Sequence, residues 1–260
     1  MLKETEKPLI ETADEHILST ILERVKNQTS NSVTLMAHGI FTDKHEKGRF
    51  DRLSNKLNLS GFDVLRFDFR GHGESPMEST TFTVLGALND YLSALDWCFN
   101  EYDNVNVVGS SFGGSVVLLE RLFNLKKKIR KIVLLNPVID YQGTFTDAIL
   151  DWGKEIFSKK HISELMEFGK SNIINDFIAS KDFYIQLSIL FPYLAIEKID
   201  IPSLVFHGTK DDKVPISFAK KYFVGNVNVK LDVVEGAGHA FKEEVYENYV
   251  YYSAVDWVAK

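Results

Sequence analysis

Short apolar runs that alternate with longer amphipathic stretches constrain this chain more than any other feature. The runs Asp63 to Phe67, Val105 to Val108, Lys131 to Leu135 and Ser203 to Phe206 have the length of buried strands. Between them lie helical patterns near Lys47 to Leu59, Thr83 to Glu101 and Phe112 to Asn124. Strand and helix in alternation means βαβ units, which build a mostly parallel sheet with helices on both faces. An earlier strand, Val33 to Ala37, a late one near Val229 to Val234 and a helix near Glu243 to Ala259 complete the pattern. The expected class is α/β.

The chain of 260 residues is long enough for one well-buried core, so a single domain over 1–260 is expected. Residues near 4 to 26 read as two strands around an Ala13-Asp14-Glu15 turn, an antiparallel hairpin at the sheet edge. One interval breaks the rhythm. More than sixty residues separate Leu135 from Ser203, far beyond the usual α/β connection. Ile149, Trp152, Ile156, Leu165, Phe168, Ile173, Phe177, Tyr184, Leu187, Phe191 and Tyr193 recur there with helical spacing. A small helical cap at about 139–197 is expected, inserted at the C-terminal edge of the sheet, where open α/β sheets bind ligands.

Charge narrows the partners. Thirty basic against 36 acidic side chains give a net charge of −6, which argues against a nucleic-acid footprint. The one basic run, Lys126-Lys127-Lys128 with Arg130-Lys131, reads as a solvated helix C-terminus whose cations complement the helix dipole. The single cysteine, Cys98, sits in an apolar periodic stretch and reads as a buried, inert thiol. No apolar stretch follows the mixed-charge start as in a secretory signal, and no run has the length of a membrane span. A cytoplasmic protein without membrane partners is expected. Oligomeric state has no signature in the sequence.

Three loops carry chemistry. Gly109-Ser110-Ser111-Phe112-Gly113 matches G-x-S-x-G, directly after one strand and directly before a helix. That context places Ser111 on a sharp turn with its hydroxyl above the sheet. A serine hydroxyl is a weak nucleophile and needs an adjacent base, oriented by a third group. The loop His207-Gly208-Thr209-Lys210-Asp211-Asp212-Lys213-Val214-Pro215 leaves a strand end and offers the acid. Glu235-Gly236-Ala237-Gly238-His239 follows the last strand and offers the base. In a parallel sheet all three loops emerge at the same edge.

The His38-Gly39 strand end, the Arg70-Gly71-His72-Gly73-Glu74-Ser75 loop, the serine turn, Asp211-x-x-Val214-Pro215 and Gly238-His239 follow one another in this order. In these motifs the chain resembles the α/β-hydrolase superfamily over nearly its whole length. It is most similar to the branch of small capped carboxylesterases, cinnamoyl and feruloyl esterases among them. The resemblance implies Ser111 as nucleophile, His239 as general base and Asp211, with Asp212 as the alternative, as the orienting acid. It implies an oxyanion hole from the backbone N–H groups of Phe112 and Ile40, with a one-residue shift to Phe41 left open.

The remaining histidines read as structural: His38 orders its own loop, His72 belongs to a tight turn, His207 ends a buried strand, and His16, His45 and His161 lie at the surface. No zinc, P-loop or dinucleotide motif occurs, so neither metal nor cofactor is expected. Among the cap aromatics, Phe157, Phe168, Phe177 and Phe183 read as the cap's own core. Phe41, Tyr141, Trp152 and Tyr184 are candidates for the pocket wall. Apolar walls would favour small to medium acyl or aryl groups over highly charged ones. The expected activity is hydrolysis of small-molecule carboxylic esters through an acyl-enzyme. A medium-chain thioesterase, or a related peptidase or acyltransferase, would use the same residues. A ligand receptor without turnover is the expectation from another class.

Overall fold

The structure is a computed structural model, in which residues 4–26, 29–123 and 129–260 are described. Eight strands form the main sheet: β1 (Glu4–Glu6), β2 (Thr20–Arg24), β3 (Ser32–Ala37), β4 (Asp63–Phe67), β5 (Asn104–Ser110), β6 (Lys131–Leu135), β9 (Ser203–Gly208) and β10 (Val229–Val234). Their spatial order is β1-β2-β4-β3-β5-β6-β9-β10. From β4 to β10 all pairs are parallel, while β2 joins β4, and β1 joins β2, antiparallel. The N-terminal hairpin thus sits at one edge as expected, with Glu15 in the left-handed region at its turn.

The inner parallel strands are buried nearly throughout because both faces are covered, whereas the edge strand β10 alternates with Lys230 and Asp232. On one face, α1 (Arg49–Leu59) and α8 (Glu244–Ala259) bury Phe50, Leu53, Leu57, Val250, Tyr251, Ala254 and Val258 against Val64, Val108, Val133 and Phe206. On the other, α2 (Val84–Glu101) and α3 (Phe112–Phe123) pack Leu88, Tyr91, Val116 and Leu119 against Leu35, Val107 and Leu134. Cys98 is buried in that second layer, and burial pushes its thiol pKa up.

Register lines up the strand ends. Ala37 pairs with Gly109, Ser110 with Leu135, Leu135 with Phe206, and Val234 with Gly208. The loops that follow β3, β5, β6, β9 and β10 therefore leave the sheet side by side. Here the chain can bring distant residues together without long connections.

The excursion between β6 and β9 is not helical throughout. It contains α4 (Asp151–Ile156), α5 (Lys159–Phe168) and α6 (Lys181–Ile189), but a hairpin of β7 (Lys170–Ile174) and β8 (Phe177–Ser180) lies between α5 and α6. Ser171 and Ile173 alternate inward along β7, and Phe177 and Ala179 along β8, which is period two. Asn175 and Asp176 both take positive φ, the geometry of a two-residue hairpin turn. Ser79 clamps the hairpin to the body: its hydroxyl donates to the Ile178 carbonyl and accepts from the Ile178 N–H. Phe157, Phe177 and Phe183 are buried as expected, whereas Phe168, the last residue of α5, is 65% exposed.

The expected helix terminus at Lys126 to Lys128 lies outside the described residues. Arg130 and Lys131 serve another helix, donating to the Val258 and Trp257 carbonyls at the end of α8, each at 2.7 Å. A further helix, α7 (Ile216–Tyr222), follows the β9 loop. Among the described residues no helix is long and apolar enough to cross a membrane.

Candidate active site

The turn at the end of β5 is tight because the chain passes from strand to helix within one residue. Ser111 carries that reversal at φ 50°, a left-handed conformation that costs a serine about 1–3 kcal/mol. Its N–H donates to the Leu135 carbonyl, and its own carbonyl accepts from Gly114 and Val138, so the surroundings hold it there. The flanking glycines follow from close approach. A Cβ on Gly113 would lie 2.2 Å from the Ala37 carbonyl oxygen, and one on Gly109 would lie 2.8 Å from the Gly114 Cα.

His239 stands over this serine. Its Nε2 lies 3.0 Å from Ser111 Oγ, and its Nδ1 lies 2.8 Å from Asp211 Oδ2. The other carboxylate oxygen, Oδ1, accepts the backbone N–H groups of Lys213 and Val214, each at 2.9 Å. Burial works to raise the Asp211 pKa, but the His239 charge and the hydrogen bonds of His207 and His239 outweigh it, holding the carboxyl well below the usual range. Asp212 lies beside the cleft instead and is exposed. His207, at the end of β9, contributes an Nε2 3.4 Å from Asp211 Oδ2.

The loops that carry Asp211 and His239 are stitched together. Lys210 N–H donates to the Ala237 carbonyl at 2.9 Å, and Gly236 N–H donates to Thr209 Oγ1 at 2.8 Å. Asn136, just after β6, joins both: its side-chain amide donates to the His239 carbonyl and accepts the Gly208 N–H. This buried residue has φ 43°, and nothing in its sequence context marks the role.

The loop after β3 forms the opposite wall. Glu46, buried, accepts the Gly39 N–H at 2.5 Å and the Ser110 hydroxyl at 3.1 Å, and pairs with Arg49 at 2.8 Å. Phe41 N–H points to His72 Nε2, 3.4 Å away, which leaves Ile40 as the better candidate for a donor toward Ser111. Phe112 begins α3, where the first N–H groups of a helix have no intrahelical acceptor. His38 orders its own loop, with Nδ1 2.7 Å from the Gly39 carbonyl and Nε2 accepting Phe69 N–H at 3.0 Å. Among the described residues no three His, Cys, Asp or Glu side chains gather as a metal site.

A family model described as the alpha/beta hydrolase family matches residues 34–248. The chain belongs to the α/β-hydrolase family. Among solved structures, this α/β hydrolase is similar to the esterase Est1E of Butyrivibrio proteoclasticus with ferulic acid bound, at TM-score 0.75 and 21% identity over 97% of this chain and 100% of that one. The Pyrococcus furiosus esterase Pf2001 gives TM-score 0.75 and 21% identity over 98% of this chain and 90% of that one. A curated relative, AB hydrolase superfamily protein YisY of Bacillus subtilis, is 24% identical over 229 residues, 75% of this chain and 81% of that protein.

In this α/β hydrolase a cleft of about 620 Å³ opens over Ser111 and His239. Phe41 and Trp152, two of the four expected wall residues, line it. The other two do not. Tyr141 is fully buried, its hydroxyl 2.7 Å from Ser115 Oγ and its ring stacked on Phe112, so it fills the core beneath the serine turn. Tyr184 packs on Phe157 inside the excursion. The hairpin turn supplies Ile174 and Asn175 instead. Asn-Asp between two alternating apolar runs was the available signal for that hairpin. Lys47, Lys210, Lys213 and Lys242 also line the cleft, so its wall is less apolar than the aromatic count of the excursion suggests.

Proposed function

We propose that this chain is a serine hydrolase that cleaves carboxylic esters of small molecules through an acyl-enzyme. The observation that carries the reading is the continuous hydrogen-bonded line from Ser111 Oγ through His239 to Asp211, at 3.0 and 2.8 Å. The esterases similar to this chain support the choice of substrate class.

In the first step Ser111 Oγ attacks the ester carbonyl while His239 Nε2 takes its proton. Asp211 keeps the imidazole Nδ1 protonated and faces the charge that forms on the ring. The N–H groups of Ile40 and Phe112 receive the oxyanion, each donor contributing about 10²–10³ in rate. His239 then returns its proton to the departing alcohol. In the second step His239 activates a water that frees the acid and restores Ser111.

The excursion from 139 to 197 acts as a cap in this reading, since Trp152, Ile174 and Asn175 wall the cleft. The whole chain works as one domain, and the buried Cys98 fits a cytoplasmic protein.

The test is Ser111-dependent turnover on a panel of alkyl esters, aryl esters such as methyl ferulate, and acyl-CoA. Ester hydrolysis that falls by about 10⁴-fold or more in Ser111→Ala, with fluorophosphonate labelling lost in parallel, is the expected result. A preference for acyl-CoA would replace the esterase by a thioesterase. Unchanged hydrolysis in the variant would overturn the mechanism, and absence of both labelling and turnover in the parent chain would make it a receptor.

A further inference from the structure

Ester cleavage explains Ser111, His239 and Asp211 but not the charge around them. Of the cations that line the cleft, Arg49 pairs with Glu46 and Arg52 with Glu247. Lys47, Lys210, Lys213 and Lys242 line the cleft without an ion pair among the described residues, and of these four Lys213 is the half-buried one. It stands two residues after Asp211, and its Nζ lies 5.4 Å from the centre of the Trp152 ring.

Lys47 and Lys242, both exposed, line the same cleft. Burial holds the Lys213 pKa below the ordinary lysine value, Asp212 and Asp211 work against that, and Lys47 and Lys242 add to it. Among the charged groups lining the cleft without an ion pair, Lys47, Lys210, Lys213 and Lys242 outnumber Asp212 and Glu243, and an anion among the lysines relieves that excess. Trp152 and Phe41 form an apolar wall next to this charge, which suits a short carbon chain leading to the anion. The combination sits within the cleft that holds Ser111, so the anion belongs to a substrate and not to a remote ligand.

We infer that the preferred ester carries a carboxylate a few carbons from the scissile carbonyl, bound by Lys213 with Lys47 and Lys242 while its methylenes lie along Phe41 and Trp152. The inference rests on the ester-hydrolase reading above and specifies its substrate. It adds one charge to the small to medium acyl or aryl groups that the sequence leads one to expect over highly charged ones.

The experiment compares esters of matched shape. Monomethyl adipate is set against methyl hexanoate, placing the carboxylate on the acyl side. The glycolate ester of hexanoic acid is set against ethyl hexanoate, placing it on the alcohol side. The expected result is a kcat/KM at least about fivefold higher for one anionic ester than for its neutral partner, declining as salt is raised. In Lys213→Met that ratio falls toward one, whereas Lys56→Met, on the α1 surface against Tyr252, leaves the ratio as it was. Whichever pair shows the effect identifies the half of the ester that lies over Lys213. Equal or lower turnover of both anionic esters, with the neutral esters still cleaved by Ser111, would overturn this inference and leave the ester hydrolase standing. No Ser111-dependent turnover of any of the four would overturn both.

Discussion

The Oγ of Ser110 donates a hydrogen bond to Oε2 of Glu46 at 3.1 Å, tying the residue before the proposed nucleophile Ser111 to the loop on the other side of the cleft. The same carboxylate holds the Gly39 N–H, so one buried side chain fixes the distance between the serine turn and the proposed oxyanion donor at Ile40. Displacements of about 1 Å at such a place cost on the order of 10²-fold in rate. Glu46→Ala is expected to lower kcat by about 10- to 100-fold with a smaller change in KM. Glu46→Gln, which keeps an acceptor for Gly39, recovers most of it. Steady-state kinetics on one ester check both.

Asp211 and Asp212 differ only in where the loop points them. The Asp211 carboxylate is fully buried and bonded to His239, whereas Asp212 is exposed. Asp211→Asn is therefore expected to reduce kcat by about 10⁴-fold, through the wrong imidazole tautomer. Asp212→Asn leaves the His239 contacts in place and keeps kcat within about threefold. Equal losses in the two variants would refute the assignment.

Acid stability follows from two buried histidines whose rings lie 5.4 Å apart. Burial, with His38 alongside, brings the His72 pKa down to about 3, and burial lowers that of His38 as well. Both are neutral in the fold, and His72 Nε2 accepts the Phe41 N–H, a bond its protonation would break. The unfolded chain takes up protons near the ordinary histidine value of about 6.5. Stability from these groups is thus complete above that pH and declines as pH falls toward the folded values. At about pH 5 the loss from His72 alone is about 2 kcal/mol. Urea midpoints measured from about pH 7 to about pH 5 should fall, and the decline should be shallower in His72→Gln.

Tyr141 and Trp152 separate core from cleft. Tyr141→Phe removes the bond to Ser115 and should cost about 1 kcal/mol of stability while leaving kcat/KM unchanged. Trp152→Ala, at the cleft wall, should raise KM by about fivefold or more. Thermal denaturation and ester kinetics on the two variants distinguish these outcomes.

The parallel sheet and the serine, acid and histidine loops were readable because strand-helix alternation and strand-end loops are local signals. Ser111 and Asp211 follow strands whose apolar runs announce them, and His239 follows β10, where Val229, Leu231 and Val233 alternate with Lys230 and Asp232. The aromatics between 139 and 197 were harder. Ile173 and Phe177 fit helical spacing as well as the period-two hairpin they occupy, and only Asn175-Asp176 tips the balance. Tyr141 looked like a pocket residue because its burial depends on Ser115 and Phe112, partners that sequence distance hides. Glu46 and Asn136 were invisible for a similar reason: each acts by bonding backbone groups brought near it by the sheet.

His239 and Ser111 stand 128 residues apart, and His239 follows β10, an edge strand of the sheet. During synthesis the serine turn can form long before the imidazole leaves the ribosome. In the proposed mechanism, a chain cut before Val229 would keep Ser111 and lack its general base. Turnover by that mechanism therefore requires that β10 has docked, so the appearance of activity would report that docking.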